Sequence, residues 1–146
     1  MKTSQAGIAL IQRFESCKLS AYQDSVGVWT IGYGHTGNVY GRPVSAGMSI
    51  TVQDAEALLK ADLSIAEKGI TTALNQPVTQ SQFDALVSLA FNVGVDATAK
   101  STLLKLLNNG EVMLAAKEFP RWDMAGGTHL LGLLRRRVAE MQLFLS

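Results

Sequence analysis

Apolar residues recur at helical spacing along nearly all of this chain, and one stretch breaks the pattern. From residue 22 to residue 41, and on to Gly47, glycines alternate with Val28, Trp29, Ile31 and Tyr33. β-Branched and aromatic residues set among glycines favour short strands and turns over a helix. Helix signals return on either side. Ser4 can cap a first helix reaching about Glu15, with Ile8, Leu10, Ile11 and Phe14 on its buried side. Thr51, with Asp54 three residues on, opens another in which Ala55, Leu58, Leu59 and Leu63 keep helical spacing to about Leu74, with a weak point at Gly69. A helical chain with one glycine-rich insert is confined to the α+β class. The expectation is a single domain over residues 1–146, with a smaller strand-bearing lobe at about 15–60, a mainly helical remainder and a cleft between them.

Beyond Pro77, Thr79 and Gln82 form a capping-box pattern ahead of Phe83, Leu86, Val87, Ala90 and Phe91, the most buried helix by periodicity. "STLLKLLNNG" and "EVMLAAKEF" predict two short helices parted by Asn109 and Gly110, the second halted by Pro120. "RRRVAEMQLFLS" closes the chain with an amphipathic helix. Phe119 and Trp122 are expected in the core.

Composition narrows the function. The 146 residues are 47% hydrophobic and 17% charged, ample for a packed core. A net charge of +1 supplies no field to attract nucleic acid. The single cysteine, Cys17, cannot form an intrachain disulfide and is expected as a packed or half-exposed thiol. Two scattered histidines and one cysteine do not make a metal-ligand pattern, and no metal is expected. The N-terminal "MKTSQAGIALIQRF" is too short and too polar for a signal peptide or a membrane span.

Ile8, Ile11 and Glu15 fall at i, i+3 and i+7, so an apolar stripe ends in an acid. At the C-terminal end of a helix, among apolar neighbours, a carboxyl is expected to keep its proton, as a general acid must. Asp24 follows in the polar turn "YQDSVG", where amides and solvent favour the ionised form. Strict alternation through "VWTIGYGH" would put Trp29, Ile31, Tyr33 and His35 on one face and Val28, Thr30, Gly32 and Gly34 on the other. Gly32 and Gly34 would then bare a trough for an extended ligand beside Thr30. One protonated and one ionised carboxyl sharing a trough suit glycosidic bond cleavage.

Glu15, eight residues, Asp24, five residues, Thr30 and then "IGYGHTG" resembles the catalytic signature of the phage lysozymes of glycoside hydrolase family 24. The likeness continues through "TQSQFDALVSLAFNVG", "EFPRWDMAGG" and the arginine run to the C-terminal "FLS". It implies a lysozyme-like fold and an endolysin muramidase that hydrolyses the β-1,4 bond between N-acetylmuramic acid and N-acetylglucosamine in peptidoglycan, without a cofactor. Glu15 resembles the proton donor, Asp24 the residue that holds or activates water, and Thr30 the third member at that water. Inversion at the anomeric carbon is what the T-even relatives imply. An arginine of Arg135, Arg136 and Arg137 is expected to turn inward toward Glu15 and Asp24, leaving two outward. The resemblance also implies accumulation in the host cytoplasm and passage to the periplasm through a phage-made membrane hole. The chain is expected to act as a monomer.

Other features have plainer readings. His35 is expected to anchor the strand lobe through a hydrogen bond or ion pair, and His129 shows no partner. Gly32, Gly34 and Gly37 spell a dinucleotide-binding motif, but the helix it requires does not follow, since "NVYGRPVSAGM" is turn-forming. Two alternatives to a muramidase stand beside it. One is a lytic transglycosylase, and the other a non-catalytic wall or outer-membrane module using "LLGLLRRRVAEMQLFLS" as a basic amphipathic segment.

Overall fold

The computed structural model describes all 146 residues. In order they form α1 (Gln5–Phe14), β1 (Lys18–Gln23), β2 (Trp29–Gly32), α2 (Val52–Ala73), α3 (Gln80–Val93), α4 (Val95–Ala99), α5 (Thr102–Asn108), α6 (Val112–Ala116), β3 (Met124–Ala125), β4 (Thr128–His129) and α7 (Leu131–Phe144). A 3-10 turn at Phe119–Arg121 holds Pro120. Contacts divide the chain into a unit of Ile11–Ser64 and a unit of Met1–Leu10 with Ile65–Ser146. No helix is long and apolar enough to cross a membrane.

In the Ile11–Ser64 unit, β1 and β2 pair antiparallel, with Tyr22 opposite Thr30 and Gln23 opposite Trp29. Residues 48–50 lie along the other side of β1, where Ala21 N donates to Met48 O (2.9 Å) and Ile50 N to Leu19 O (2.9 Å). Ile31, Val39, Val44, Ile50 and Ala55 form the core of this unit, flanked by Trp29, Tyr33, Met48 and Leu58. The strand starts earlier than the glycine pattern suggested, at Lys18, because β1 takes its partners from both sides while its own residues stay mostly exposed.

The larger unit is built on α3. Every residue from Phe83 to Ala90 is buried, and the capping box forms as the sequence predicts, with Gln82 N on Thr79 Oγ1 (3.1 Å) and Thr79 N on Gln82 Oε1 (2.9 Å). Asp84, buried on α3, accepts from the main-chain nitrogen of Ser4 at 2.9 Å and from its hydroxyl, fixing the start of α1. Phe119 meets Phe144 edge to face at 5.3 Å, and Trp122 is half-buried.

Four expectations need correction. Gly69 does not weaken α2, which runs unbroken; a Cβ there would stand 2.2 Å from Val95 Cγ1, so the glycine permits close packing. The closing helix begins at Leu131, ahead of the arginines, and is preceded by a β3–β4 hairpin turning on Gly126 and Gly127, both at positive φ. Cys17 is exposed, because it lies in the link between α1 and β1. His129 has a partner, with Nδ1 2.8 Å from Asp123 Oδ1.

Candidate active site

All three carboxyl and hydroxyl groups singled out in the sequence lie in the Ile11–Ser64 unit. Glu15 follows the last residue of α1 and continues its hydrogen-bonding, its N–H reaching Ile11 O at 2.9 Å. The half-buried carboxyl points toward Gly34, whose Cβ, if it had one, would lie 3.9 Å from Glu15 Oε2.

Asp24 and Thr30 meet on one peptide unit. The sequence "DSVGV" makes a tight turn between β1 and β2, with Gly27 at φ +84. Asp24 N donates to Val28 O (2.9 Å) and Gly27 N to Asp24 O (3.0 Å). Asp24 Oδ1 accepts from both Val26 N and Val28 N, each at 2.9 Å, the local side-chain turn that aspartate forms at such positions. Thr30, buried at 4% exposure, donates its hydroxyl to the same Val28 carbonyl at 3.0 Å. Its only proton is thereby committed, so any further partner must donate to it. Oδ2 of Asp24 takes part in neither turn bond.

The extended trough expected from strict alternation is shorter than the sequence suggested. β2 ends at Gly32, and the chain folds back so that Ile31 and His35 pair through two main-chain bonds of 2.9 Å. Gly32 and Gly34 adopt φ +65 and +74, which side chains disfavour. Gly32 is buried against Ile50 and Ala55, with a Cβ position 3.5 Å and 3.6 Å from them, whereas Gly34 is exposed beside Glu15. The two glycines therefore do different work, one in packing and one at the acid.

His35 anchors this turn, as its pattern predicts. Nδ1 lies 2.8 Å from Asp62 Oδ2 and Nε2 lies 3.0 Å from Asn38 O, which ties residues 35–38 to α2. Asp62 was not legible as a partner because its helix position is 27 residues away. Burial, the larger influence, and the neighbouring Cys17 thiol push the Tyr33 hydroxyl above its ordinary range.

The arginine run does not divide one in and two out. Arg136 and Arg137 are both buried, and Arg135 is exposed. Glu140 explains this, since one turn along α7 it stands 2.7 Å from Arg137 Nε and 3.3 Å from Arg136 Nε, while Ser88 Oγ donates to it at 2.5 Å. Arg137 also donates to Asn92 Oδ1 at 2.9 Å. Burial pushes the Glu140 carboxyl up, and the Arg137 guanidinium leads the groups that pull it back.

The phage lysozyme family model matches residues 12–140, which includes Glu15, Asp24 and Thr30. The chain belongs to the phage lysozyme family. It is 45% identical to the endolysin of Salmonella phage P22 over 146 residues, covering 100% of this chain and 99% of that protein. The endolysin of Bacillus phage PZA is 48% identical over 148 residues, but the chain spans only 56% of its length. A crystal structure of a P22 lysozyme mutant superposes with a TM-score of 0.94 at 44% identity, covering 100% of this chain and 99% of that one. The muramidase domain of SpmX from Asticaccaulis excentricus superposes at 0.90 with 40% identity, covering 99% and 98%. The fold is lysozyme-like, mainly helical with small antiparallel hairpins.

Proposed function

We propose that this chain is an endolysin muramidase in which Glu15 donates a proton to the bridging oxygen of the β-1,4 bond between N-acetylmuramic acid and N-acetylglucosamine. Membership of the phage lysozyme family makes it a peptidoglycan-lysing enzyme. The residue roles rest on one observation, that Asp24 and Thr30 are both bonded to the main chain of Val28, whose carbonyl accepts from Asp24 N and from the Thr30 hydroxyl while its N–H donates to Asp24 Oδ1. Asp24 is pinned through Oδ1, so its second oxygen can accept a proton from water. Thr30, its own proton committed, can accept the water's other hydrogen. A water held by two acceptors has its lone pair directed outward, toward the anomeric carbon, and attack from the face opposite the leaving oxygen inverts that centre. Gly34 keeps the space beside Glu15 free of a side chain, and His35 holds the turn that carries it. Arg136 and Arg137, fixed on Glu140, are supporting residues in this reading.

The whole chain functions as one lysozyme domain on peptidoglycan, with cytoplasmic accumulation and release through a phage-made membrane hole as the route to the wall. In the folded chain only Arg135 of the arginine run is exposed, which leaves the C-terminal segment little cationic surface for a membrane role.

Mass analysis of fragments released from purified peptidoglycan tests the activity. Products with hydrated reducing ends are expected, and anhydro ends would assign a transglycosylase instead. Glu15→Gln should abolish release of fragments. Full release by that variant would remove the acid from the mechanism, and NMR of the first-formed anomer reports inversion.

A further inference from the structure

Val39 and Arg42 exchange two main-chain bonds, of 2.8 Å and 3.0 Å, around Tyr40 (φ 49) and Gly41 (φ 76). Both central residues are left-handed, the geometry of a tight two-residue hairpin turn, and glycine at only one of them leaves Tyr40 in a conformation side chains rarely adopt. The Tyr40 hydroxyl donates to Asp54, which also accepts from Thr51 N at 3.0 Å at the start of α2. The turn is thus held at both ends, and Asp54 is committed to it. Arg42 emerges from this turn exposed, and its guanidinium makes no hydrogen bond or ion pair within the chain.

Arg42 borders a cleft of about 670 Å³. Pro43 and Met48 give it apolar wall, and Ser45 and Ser49 give it polar lining. An unpaired guanidinium carried on a held turn, beside hydroxyls and a short apolar wall, is complementary to a carboxylate on a partly apolar chain. Ser49 pairs with Ser20 on β1, and Tyr22 of β1 pairs with Thr30 on β2, so the cleft's edge and Thr30 belong to neighbouring rows of one small sheet. Two strand spacings across and the two-residue offset from Ser20 to Tyr22 along β1 combine to roughly 12 Å, which about four extended peptide residues can span.

We propose that the Arg42 cleft is a subsite for the acidic peptide stem of peptidoglycan, with Arg42 pairing a free stem carboxylate while the glycan occupies the site at Glu15, Asp24 and Thr30. The inference rests on the muramidase reading and deepens it, because it assigns the substrate's peptide as well as its sugar. The stem leaves the muramyl residue through its lactyl ether, and its acidic residues carry carboxylates within that reach. The Arg42 contact improves substrate binding without touching the reacting bond, so it acts on KM and leaves kcat alone.

The test compares Arg42→Gln and Arg42→Lys with the unchanged chain on two substrates, glycan strands bearing intact stems and strands stripped of stems by an amidase. An exposed ion pair of this kind leads to a 2- to 5-fold rise in KM for Arg42→Gln on stem-bearing strands. No change is expected on stripped strands, kcat and Tm should hold, and Arg42→Lys should recover most of the loss. Equal effects on both substrates, or none on either, would overturn the subsite. An independent readout is NMR titration with a disaccharide tetrapeptide against the disaccharide alone. Only the former should shift the Arg42 Nε–H and the Ser45 and Ser49 amides, and its failure to do so would also overturn the proposal. If the unchanged chain cleaved neither substrate the muramidase reading would fall, while the titration would still decide the subsite.

Discussion

Gly69 offers the sharpest conflict between a local rule and the packed structure. Alanine in place of glycine inside an exposed helix ordinarily gains about 1 kcal/mol. At position 69 the added Cβ would lie 2.2 Å from Val95 Cγ1 and 3.2 Å from both Val95 Cβ and Cγ2. Rotating Val95 offers no escape, because its branched Cβ is itself one of the close atoms and its χ1 is restricted within a helix. Overpacking of this kind costs about 1–3 kcal/mol, and with all three atoms crowded the upper half applies, so Gly69→Ala should destabilise by about 1–2 kcal/mol net. For 146 residues the unfolding entropy is about 0.3 kcal/mol per kelvin, which converts the loss to a Tm drop of roughly 3–7 °C. Differential scanning calorimetry on the single variants and on Gly69→Ala with Val95→Ala completes a double-mutant cycle. In the Val95→Ala background only the 3.2 Å approach of Cβ remains, so most of the cost of alanine at 69, which comes from Cγ1, should disappear. A rise in Tm for Gly69→Ala with Val95 intact would refute the packing argument.

Two further outcomes follow from named bonds. Thr30→Val should lower turnover at least about 100-fold, as loss of a polar group aimed at the reacting water does. The same change should cost only about 0.5–1.5 kcal/mol of stability, since Val28 O keeps its bond from Asp24 N. Thr30→Ser should retain most activity, and equal losses in both variants by peptidoglycan turbidity assay would remove the hydroxyl from the mechanism. The Tyr40 hydroxyl first, and the Thr51 amide second, hold the Asp54 carboxyl below its ordinary range. A depressed carboxyl contributes stability above its unfolded value, and that contribution is lost as pH falls through the folded one. Tyr40→Phe should therefore move the Asp54 titration upward in carbon-detected NMR, and an unmoved curve would show the contact to be unimportant.

The positions proposed to carry the chemistry were legible because their signals are local. Asp24 sits at the head of a turn whose residues, Ser25 to Val28, supply both of the amides it accepts from, and Thr30 reaches only two residues back for its own bond. The capping box at Thr79 and Gln82 is likewise written within four residues. The glycine face failed for a complementary reason. Alternation describes a strand that continues, and nothing nearby says that Gly32 will turn the chain and bury itself against Ala55 on α2.

By itself, the sequence determined most of the helices and the Thr79–Gln82 capping box, the glycine-rich break that sets the strands apart, and the acid, turn and hydroxyl placed at fixed short spacings. These depend on hydrogen bonds and side-chain periodicity within a few residues. Only the tertiary structure decided that Ser88 would meet Glu140 across 52 positions, drawing Arg136 and Arg137 into the interior, that Val95 would press onto Gly69, and that Arg42 would be left unpaired beside a cleft. A charge's partner and a methyl group's neighbour are set by where distant segments are brought together, and burial then fixes which of those meetings the fold can tolerate.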